Sequence, residues 1–207
     1  FFFFQAEDGI RDRDVTGVQT CALPISNCRD IPLIAASPSV DSPSFERKRK
    51  YVSLVVFGGS NQPVFDIQAL AAMHEWQFLM PETVGELSMD APENVTFITF
   101  SEENMPVDIM PFIDVVLCKP GYGILSECWR TARPIAWVER PDFPEFPMLK
   151  DWLEHVFPAH GMSRAIFASG DWLSALDGAM ACERSFPELK EDGVQMAAEI
   201  ILSGQKV

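Results

Sequence analysis

The sequence lacks the short motifs that identify the most familiar nucleotide-binding and hydrolytic enzymes. It contains neither GxGxxG nor GxxxxGKS/T, so the dinucleotide-binding fingerprint and the phosphate loop of kinases and ATPases are both absent. It contains no GxSxG nucleophile motif. The three histidines, His74, His155 and His160, have no spacing typical of a metal site or a catalytic triad. The sequence therefore gives no support for an NAD-binding Rossmann domain, a phosphate-loop ATPase or a serine hydrolase.

Basic residues and patterned cysteines are also scarce. Thirty Asp and Glu residues outnumber 16 Lys and Arg, and the formal net charge of −14 argues against a nucleic-acid-binding surface or a polybasic membrane patch. The five cysteines show neither CxxC nor Cys/His ligand spacing, which favours reduced thiols in a cytoplasmic protein and predicts no metal site. No apolar run approaches the roughly 18–20 residues that span a bilayer, so no transmembrane segment is predicted.

Three regions of the chain differ in composition. Residues 1–26 have no sustained helical or strand period, and their order of basic and apolar residues does not fit a signal peptide. They closely resemble translated sequencing-adapter read-through, so we expect an artefactual or disordered segment without function. Residues 27–50 carry three prolines, several serines and a charged run, which is typical of a linker. Residues 51–207 form the predicted globular domain.

Short β-branched or apolar runs alternate with helical patterns across this domain. The predicted strands lie at 51–57, 76–80, 95–100, 114–118, 134–138 and 164–168, and the predicted helices at 65–74, 105–112, 124–131, 148–156, 172–182 and 188–202. The alternation predicts an α/β fold, a Rossmann-like, doubly wound parallel sheet of about six strands with helices on both faces. Ligands of such sheets bind outside the carboxyl ends of the strands.

A glycine turn between the strand at 114–118 and the next helix is the most informative segment. Gly121 and Gly123 allow close backbone approach, and the N–H groups at a helix N-terminus favour an anion such as a diphosphate. Ser126 adds a hydroxyl, and Glu127 has two carboxylate oxygens suited to the two hydroxyls of a ribose. From spacing alone, glycines that only form the turn and a solvated Glu127 are an equally good interpretation.

Two further loops follow predicted strands and therefore fall on the same edge of the sheet. Gly58, Gly59 and Ser60 give a close-approach turn with a hydroxyl after the first strand, although a plain structural turn is at least as good an interpretation. Residues 139–147 (ERPDFPEFP) are stiffened by three prolines, and their acidic side chains are suited to the hydroxyls of a sugar. The alternative for this segment is a rigid, exposed acidic loop.

Taken together, VVFGGS, DVVLCKPGYGILSE and PIAWVERPDFPEFP resemble the C-terminal, donor-binding domain of a GT-B-fold glycosyltransferase. The closest group includes the peptidoglycan N-acetylglucosaminyltransferase, and the N-terminal part of plant-type arabinose kinases is similar as well. The resemblance covers roughly residues 51–204. It implies one half of a GT-B fold in an enzyme of hexosyltransferase type. Such an enzyme moves a sugar from a nucleoside diphosphate sugar, above all a UDP sugar, to an acceptor hydroxyl without a metal or another cofactor.

The resemblance also implies roles for individual residues. The implied substrate-binding residues are Gly58, Gly59, Ser60, Phe100, Met105, Gly121, Tyr122, Gly123, Ile124, Ser126, Glu127, Asp142 and Glu145. Within this set, the turn at 121–123 corresponds to the diphosphate site, Glu127 to the ribose contact and the loop at 100–105 to the base site. Asp142 and Glu145 fall where the family contacts the donor sugar. The peptidoglycan enzyme carries glutamines in that loop, so this sequence departs from an N-acetylglucosamine donor.

In these transferases an acceptor-binding domain comes first, and residues 27–50 resemble the connection between the two domains. The resemblance therefore implies that the acceptor site, the catalytic base and any peripheral membrane contact belong to a domain outside this fragment. We expect the fragment to bind a nucleotide sugar without turnover. Two rival functions stay open: a sugar-nucleotide 2-epimerase of similar fold, and a non-catalytic nucleotide-sugar-binding domain as in fusions to sugar kinases.

Overall fold

The structure, a computed structural model, describes residues 33–57, 64–82, 90–101, 104–186, 188 and 193–203. Ala35–Glu188 forms one compact unit that contains the whole sheet, and the described residues 33–34 and 193–203 belong to a second unit. The segment 1–26 and the predicted turn Gly58, Gly59 and Ser60 lie outside the described residues.

A parallel sheet forms the centre of the larger unit. Its described strands are β1 (Tyr51–Val56), β2 (Trp76–Pro81), β3 (Val95–Ile98), β4 (Val115–Cys118), β5 (Ile135–Val138) and β6 (Ala159–Met162). Their order is β3-β2-β1-β4-β5-β6, and every neighbouring pair is parallel. Every residue of β4 and β5 is buried, as expected for strands covered on both faces. The predicted doubly wound α/β fold is confirmed.

Helical segments follow β1, β3, β4, β5 and β6 in the described part of the chain. The described α-helices are α1 (Pro106–Ile109), α2 (Tyr122–Arg130), α3 (Phe146–His155), α4 (Arg164–Ser169), α5 (Leu173–Met180) and α6 (Gly193–Leu202), and Met110–Phe112 continues α1 as a 3₁₀ turn. The helix predicted at 65–74 is a 3₁₀ helix, Ile67–Ala72. Ile67, Leu70 and Met73 are its buried side, and their spacing of three matches three residues per turn.

The sixth strand is not where the sequence predicted it. Residues 164–168 belong to helix α4, and the edge strand is β6. Ser163 caps α4, since its hydroxyl accepts a hydrogen bond from the Ile166 N–H at 3.2 Å, and Gly170 ends the helix with a left-handed φ of 74°. The sequence of β6, AHGM, contains no β-branched residue and therefore carries little strand propensity.

The side chains of the sheet alternate between two buried faces. On one face Val116 of β4 packs in a cluster with Leu125 of α2 and Leu149 of α3. On the other face Leu117 packs in a cluster with Leu176 of α5 and a group of mutually contacting aromatic rings from the loop before the 3₁₀ helix, α4 and the N-cap of α5. The sheet is thus the middle of three layers.

Two buried polar side chains, Asp108 and Gln77, form hydrogen bonds with the segment before β1. Ser39 donates from its backbone N–H and its hydroxyl to Asp108 Oδ1, at 2.7 and 2.9 Å. The Lys48 N–H donates to Gln77 Oε1 at 2.7 Å, and the Gln77 amide donates back to a carbonyl of the same segment. Asp108 and Gln77 are 3% and 0% exposed. Residues 35–50, within the predicted linker, are therefore packed against α1 and β2.

Gly161 of β6 makes room for a buried indole, so Gly161→Ala is expected to destabilise the protein. A Cβ at this position would lie 2.3 Å from Cζ2 of Trp137, which is 3% exposed. Overpacking of this kind costs about 1–3 kcal/mol. Urea denaturation measures the free energy of unfolding. Gly123→Ala is the control, because no described atom lies within 4 Å of a Cβ placed there. Equal stability of the two variants would contradict the packing described here.

Candidate functional site

Three loops that the sequence singled out begin at neighbouring strands. β1, β4 and β5 lie side by side, and Val56, Cys118 and Trp137 are register partners at or near their carboxyl ends. The chain order reverses between β1 and β4, with β2 and β3 on one side and β5 and β6 on the other. Connections leave such a switch point on opposite faces of the sheet and open a crevice at its carboxyl edge. The loop that follows β4 starts in this crevice.

Helix α2 begins directly after this loop. Its N-cap, Gly121, has no side chain to accept hydrogen bonds from the first turn, and the Gly121 carbonyl accepts from the Leu125 N–H at 3.1 Å. The N–H groups of Tyr122, Gly123 and Ile124 lie in the first turn of an α-helix, where no carbonyl of the helix can accept from them. Together with the positive end of the helix dipole, they form a position for an anion.

Neither glycine of the turn is required by the fold. Gly121 has a φ of −162° and a ψ of 154°, an extended conformation that any residue can adopt. A Cβ there would lie 3.9 Å from Arg140 Nη1, an ordinary contact distance, and no described atom lies within 4 Å of a Cβ at Gly123. The glycines thus leave open space beside the first turn of α2. This favours a ligand position over a turn that needs glycine for its own geometry.

Glu127 lies five residues beyond the start of α2 and is half-buried. Burial raises the pKa of the Glu127 carboxyl, and the nearby charge of Asp108 raises it further. Among the described residues, no cation forms an ion pair with Glu127. Carboxyl groups perturbed in this way, by burial and a like charge, cluster at functional sites.

Asp108 links Glu127 to the loop at 100–105. Its carboxylate accepts a hydrogen bond from the Met105 N–H at 3.0 Å as well as the two from Ser39. Burial opposes ionisation, but these hydrogen bonds lower the pKa of Asp108, so its charge persists beside Glu127. Phe100 packs partly buried against the core cluster of this face, and Met105 is 45% exposed. Met105 and Glu127 are thus both neighbours of Asp108, whereas Phe100 is placed only by its packing against the core cluster.

Arg140, which the sequence motifs did not indicate, lies beside the glycine turn. Its Nη1 donates to the Pro120 carbonyl at 2.9 Å, and its Cζ lies 4.1 Å from the centroid of the Phe143 ring. No carboxylate in the described part of the chain forms an ion pair with it. The sequence signal that could have identified Arg140 is its position: it is the single basic residue of the loop 139–147, just after β5.

The two acidic residues predicted in the loop after β5 differ in environment. Asp142 forms an ion pair with Arg164 of α4, at 2.6 Å, and its side chain is 81% exposed. Glu145 precedes α3, and its Oε2 is buried without a hydrogen-bond partner among the described groups. The pKa of Tyr122 is raised by burial and then by the charge of Glu145, so these two side chains are neighbours. Glu145 lies at the first turn of α2, whereas Asp142 is engaged with α4.

Two further predicted residues of α2 offer no polar side-chain group to the open turn. Ser126 is 4% exposed, and its hydroxyl donates to the Tyr122 carbonyl within the same helix at 2.7 Å. The predicted hydroxyl contact of Ser126 with a ligand is therefore not supported by the geometry. Ile124 packs against the core cluster and can contribute only its backbone N–H.

The described residues contain neither a candidate metal cluster nor a membrane-spanning helix. Within the described ranges, no group of three His, Cys, Asp or Glu side chains is arranged to hold a metal ion. None of the helices in this part of the chain combines the length and the apolar character needed to cross a membrane.

The sequence matches no protein-family profile. It is similar to an L-arabinokinase of Arabidopsis thaliana, with 30% identity over 114 residues, which is 55% of this chain and 11% of that protein. The chain thus spans only a small part of this relative's length.

Solved glycosyltransferases share the fold at low sequence identity. SnogD from Streptomyces nogalater superposes with a TM-score of 0.55 and 14% identity, over 82% of this chain and 48% of that one. The kitacinnamycin glycotransferase superposes with a TM-score of 0.54 and 15% identity, over 71% of this chain and 40% of that one. CalG4, the calicheamicin glycosyltransferase, superposes with a TM-score of 0.51 and 17% identity, over 82% of this chain and 42% of that one. The chain has the fold of one half of a GT-B glycosyltransferase, as predicted, and spans less than half of each of these structures.

The raised pKa of Glu127 predicts that Glu127→Gln stabilises the unliganded protein at neutral pH. The folded protein binds the Glu127 proton more tightly than the unfolded chain does. The free energy of unfolding therefore falls as the pH rises from the unfolded-state pKa through the folded-state pKa. A glutamine cannot ionise and avoids this loss.

Chemical denaturation from about pH 4 to about pH 8 measures the effect, since this range spans the ordinary glutamate pKa and neutrality. The variant is expected to exceed the wild type at the upper end and to match it at the lower end. Glu183→Gln, at an exposed position, is the control and should show no such gain. Parallel stability curves for wild type and Glu127→Gln would contradict the environment described for this carboxyl.

Proposed function

We propose that this chain is the donor-binding half of a cytoplasmic glycosyltransferase. The enzyme transfers a sugar from a nucleoside diphosphate sugar, with UDP as the nucleotide, to an acceptor hydroxyl without a metal ion. A fold alone does not fix a function. The proposal therefore depends on the groups at the carboxyl edge of β1, β4 and β5.

The order of the groups around α2 is the observation that carries the proposal. Asp108, which accepts a hydrogen bond from the Met105 N–H, is a neighbour of Glu127. Glu145 is a neighbour of Tyr122, the first residue of α2. Glu127 is five residues from Tyr122, which is about 7.5 Å along the helix axis. This order corresponds to base, ribose, diphosphate and sugar, the sequence of parts in a nucleotide sugar.

Each part of the donor has a chemically suitable partner in this order. Phe100 and Met105 provide apolar contact for the base, and the carboxylate of Glu127 accepts hydrogen bonds from the two ribose hydroxyls. The backbone N–H groups of 122–124, in the first turn of α2, bind the diphosphate. The buried, unpartnered Oε2 of Glu145 accepts from a hydroxyl of the sugar. Gly58, Gly59 and Ser60, which lie outside the described residues, remain proposed substrate-binding residues from the sequence alone.

The proposed chemistry needs stabilisation of a leaving diphosphate. The acceptor oxygen bonds to the anomeric carbon while the bond from that carbon to the β-phosphate oxygen breaks, and the electron pair stays on the diphosphate. Donors that are already oriented at the first turn of α2 stabilise this developing charge. The acceptor proton passes to a base that we assign, with the acceptor site, to a second domain. The isolated chain is therefore expected to bind the donor without turnover.

The similarity to the plant L-arabinokinase favours a second candidate function. A nucleotide-sugar-binding domain joined to a sugar kinase would bind the donor in the same site without transferring it. A sugar-nucleotide 2-epimerase would also use this site, but would convert the donor in the absence of an acceptor. Product analysis with the longer parent protein separates these three functions, because the products are a glycosylated acceptor, an unchanged donor and an epimer of the donor.

Calorimetric titration with UDP and UDP sugars tests the proposed donor site. Wild type is expected to bind, and Glu127→Ala is expected to bind about 10- to 100-fold more weakly, because hydrogen bonds to a charged group contribute about 1.5–3 kcal/mol. Glu183→Ala is the control and should retain wild-type affinity. If the wild type does not bind, or if Glu127→Ala binds with full affinity, the proposed donor site is wrong.

The sugar contact is tested by comparing two substitutions in one loop. Glu145→Gln is expected to weaken binding of UDP sugars about 10-fold relative to UDP, because Glu145 offers an unpartnered buried oxygen. Asp142→Asn is expected to change the ratio little, because its carboxylate pairs with Arg164. If both variants change the ratio of UDP-sugar to UDP affinity equally, the distinction between these two residues is wrong.

A further inference from the structure

Arg140 is a cation at the glycine turn that the proposed function does not yet use. Its guanidinium has five N–H donors, and the single hydrogen bond described for it goes from Nη1 to the Pro120 carbonyl. The same Nη1 lies 3.9 Å from the position of a Cβ at Gly121. The guanidinium therefore stands alongside the first turn of α2 with donors to spare.

Two contacts fix this guanidinium without neutralising it. The guanidinium lies over the ring of Phe143, a residue that is 7% exposed. Its Nη1 donates a hydrogen bond to the Pro120 carbonyl. Arg164, in contrast, donates to the Glu139 carbonyl and pairs with the Asp142 carboxylate. The orientation of Arg140 is thus set before any ligand binds, while its charge has no anionic partner among the described residues.

A positively charged side chain beside the glycine turn would balance the negative charges of the proposed site. The diphosphate of a nucleotide sugar carries on the order of two negative charges. A helix N-terminus supplies the equivalent of about half a positive charge. The carboxylates of Glu127 and Glu145, on either side of the turn, repel an anion. A full positive charge beside the turn offsets this repulsion.

We infer that Arg140 binds the diphosphate of the donor, with its free N–H groups directed at phosphate oxygens. This inference rests on the proposed function, since it assumes that a nucleoside diphosphate lies on α2. A guanidinium presents its donors in a planar fork that matches two phosphate oxygens. Arg140 then joins the backbone N–H groups of 122–124 in stabilising the diphosphate as it leaves.

The experiment compares UDP, UMP and uridine as ligands of the whole chain. Calorimetry is performed with wild type, Arg140→Gln, Arg140→Lys and the control Arg164→Gln, which removes the same charge from a neighbouring arginine. Arg140→Gln is expected to weaken UDP binding at least about 10-fold and to leave uridine binding within about twofold. Arg140→Lys keeps the charge but loses the fork, so an intermediate loss is expected. Arg164→Gln should bind all three ligands as wild type does.

Three results would overturn the inference, and they are distinguishable. If wild type binds UDP and Arg140→Gln binds it equally well, Arg140 does not contact the diphosphate, while the proposed function stands. If Arg140→Gln weakens UDP and uridine by the same factor, Arg140 only positions the turn through Pro120. If wild type binds none of the three ligands, the proposed donor site itself fails. Thermal unfolding of each variant checks that the comparison is made on folded protein.

Discussion

Every proposed ligand contact depends on the backbone hydrogen bonds between β1 and β4, because the order of the chain reverses at this pair. At such a switch point, connections leave on opposite faces of the sheet and open a crevice at its carboxyl edge. Helix α2 starts at this edge, and the loop after β5 reaches it from the neighbouring strand. The groups proposed to bind base, ribose, diphosphate and sugar come from loops that are distant in sequence. The parallel pairing alone brings them to one edge.

Electrostatics explains how so acidic a chain can hold an anion at this edge. The net charge of −14 describes the whole chain, whereas the proposed diphosphate position consists of backbone N–H groups and the Arg140 guanidinium. The carboxylates of Glu127 and Glu145 flank that position and lack cationic partners among the described residues. They are suited to hydroxyl groups, which donate hydrogen bonds. In the proposed complex, the anionic and the hydroxyl-bearing parts of the donor therefore bind to different groups along a single helix.

Much of the fold follows from the sequence, because β1 is largely and β4 entirely apolar, as is typical of strands covered on both faces of a parallel sheet. β6 was missed because AHGM has little strand propensity, and its pairing is imposed by β5. Local spacing predicted a glycine turn before α2, but it left the role of Glu127 open, because a solvated glutamate fitted the same spacing equally well. Arg140 was not, because its contact with Pro120 spans 20 residues and exists only once β4 and β5 pair. Spacing likewise could not separate Asp142 from Glu145, since an ion pair with α4 and a buried oxygen are tertiary features.

The central claim is that a nucleoside diphosphate binds at the first turn of α2. Amide chemical shifts of the ¹⁵N-labelled chain, followed while UDP is added, test it most directly, because they report the backbone groups that are proposed to donate. We expect saturable shifts that are largest at Tyr122, Gly123 and Ile124 and small along β6. Shifts that are absent from these three amides, or that are largest at another edge of the sheet, would contradict it.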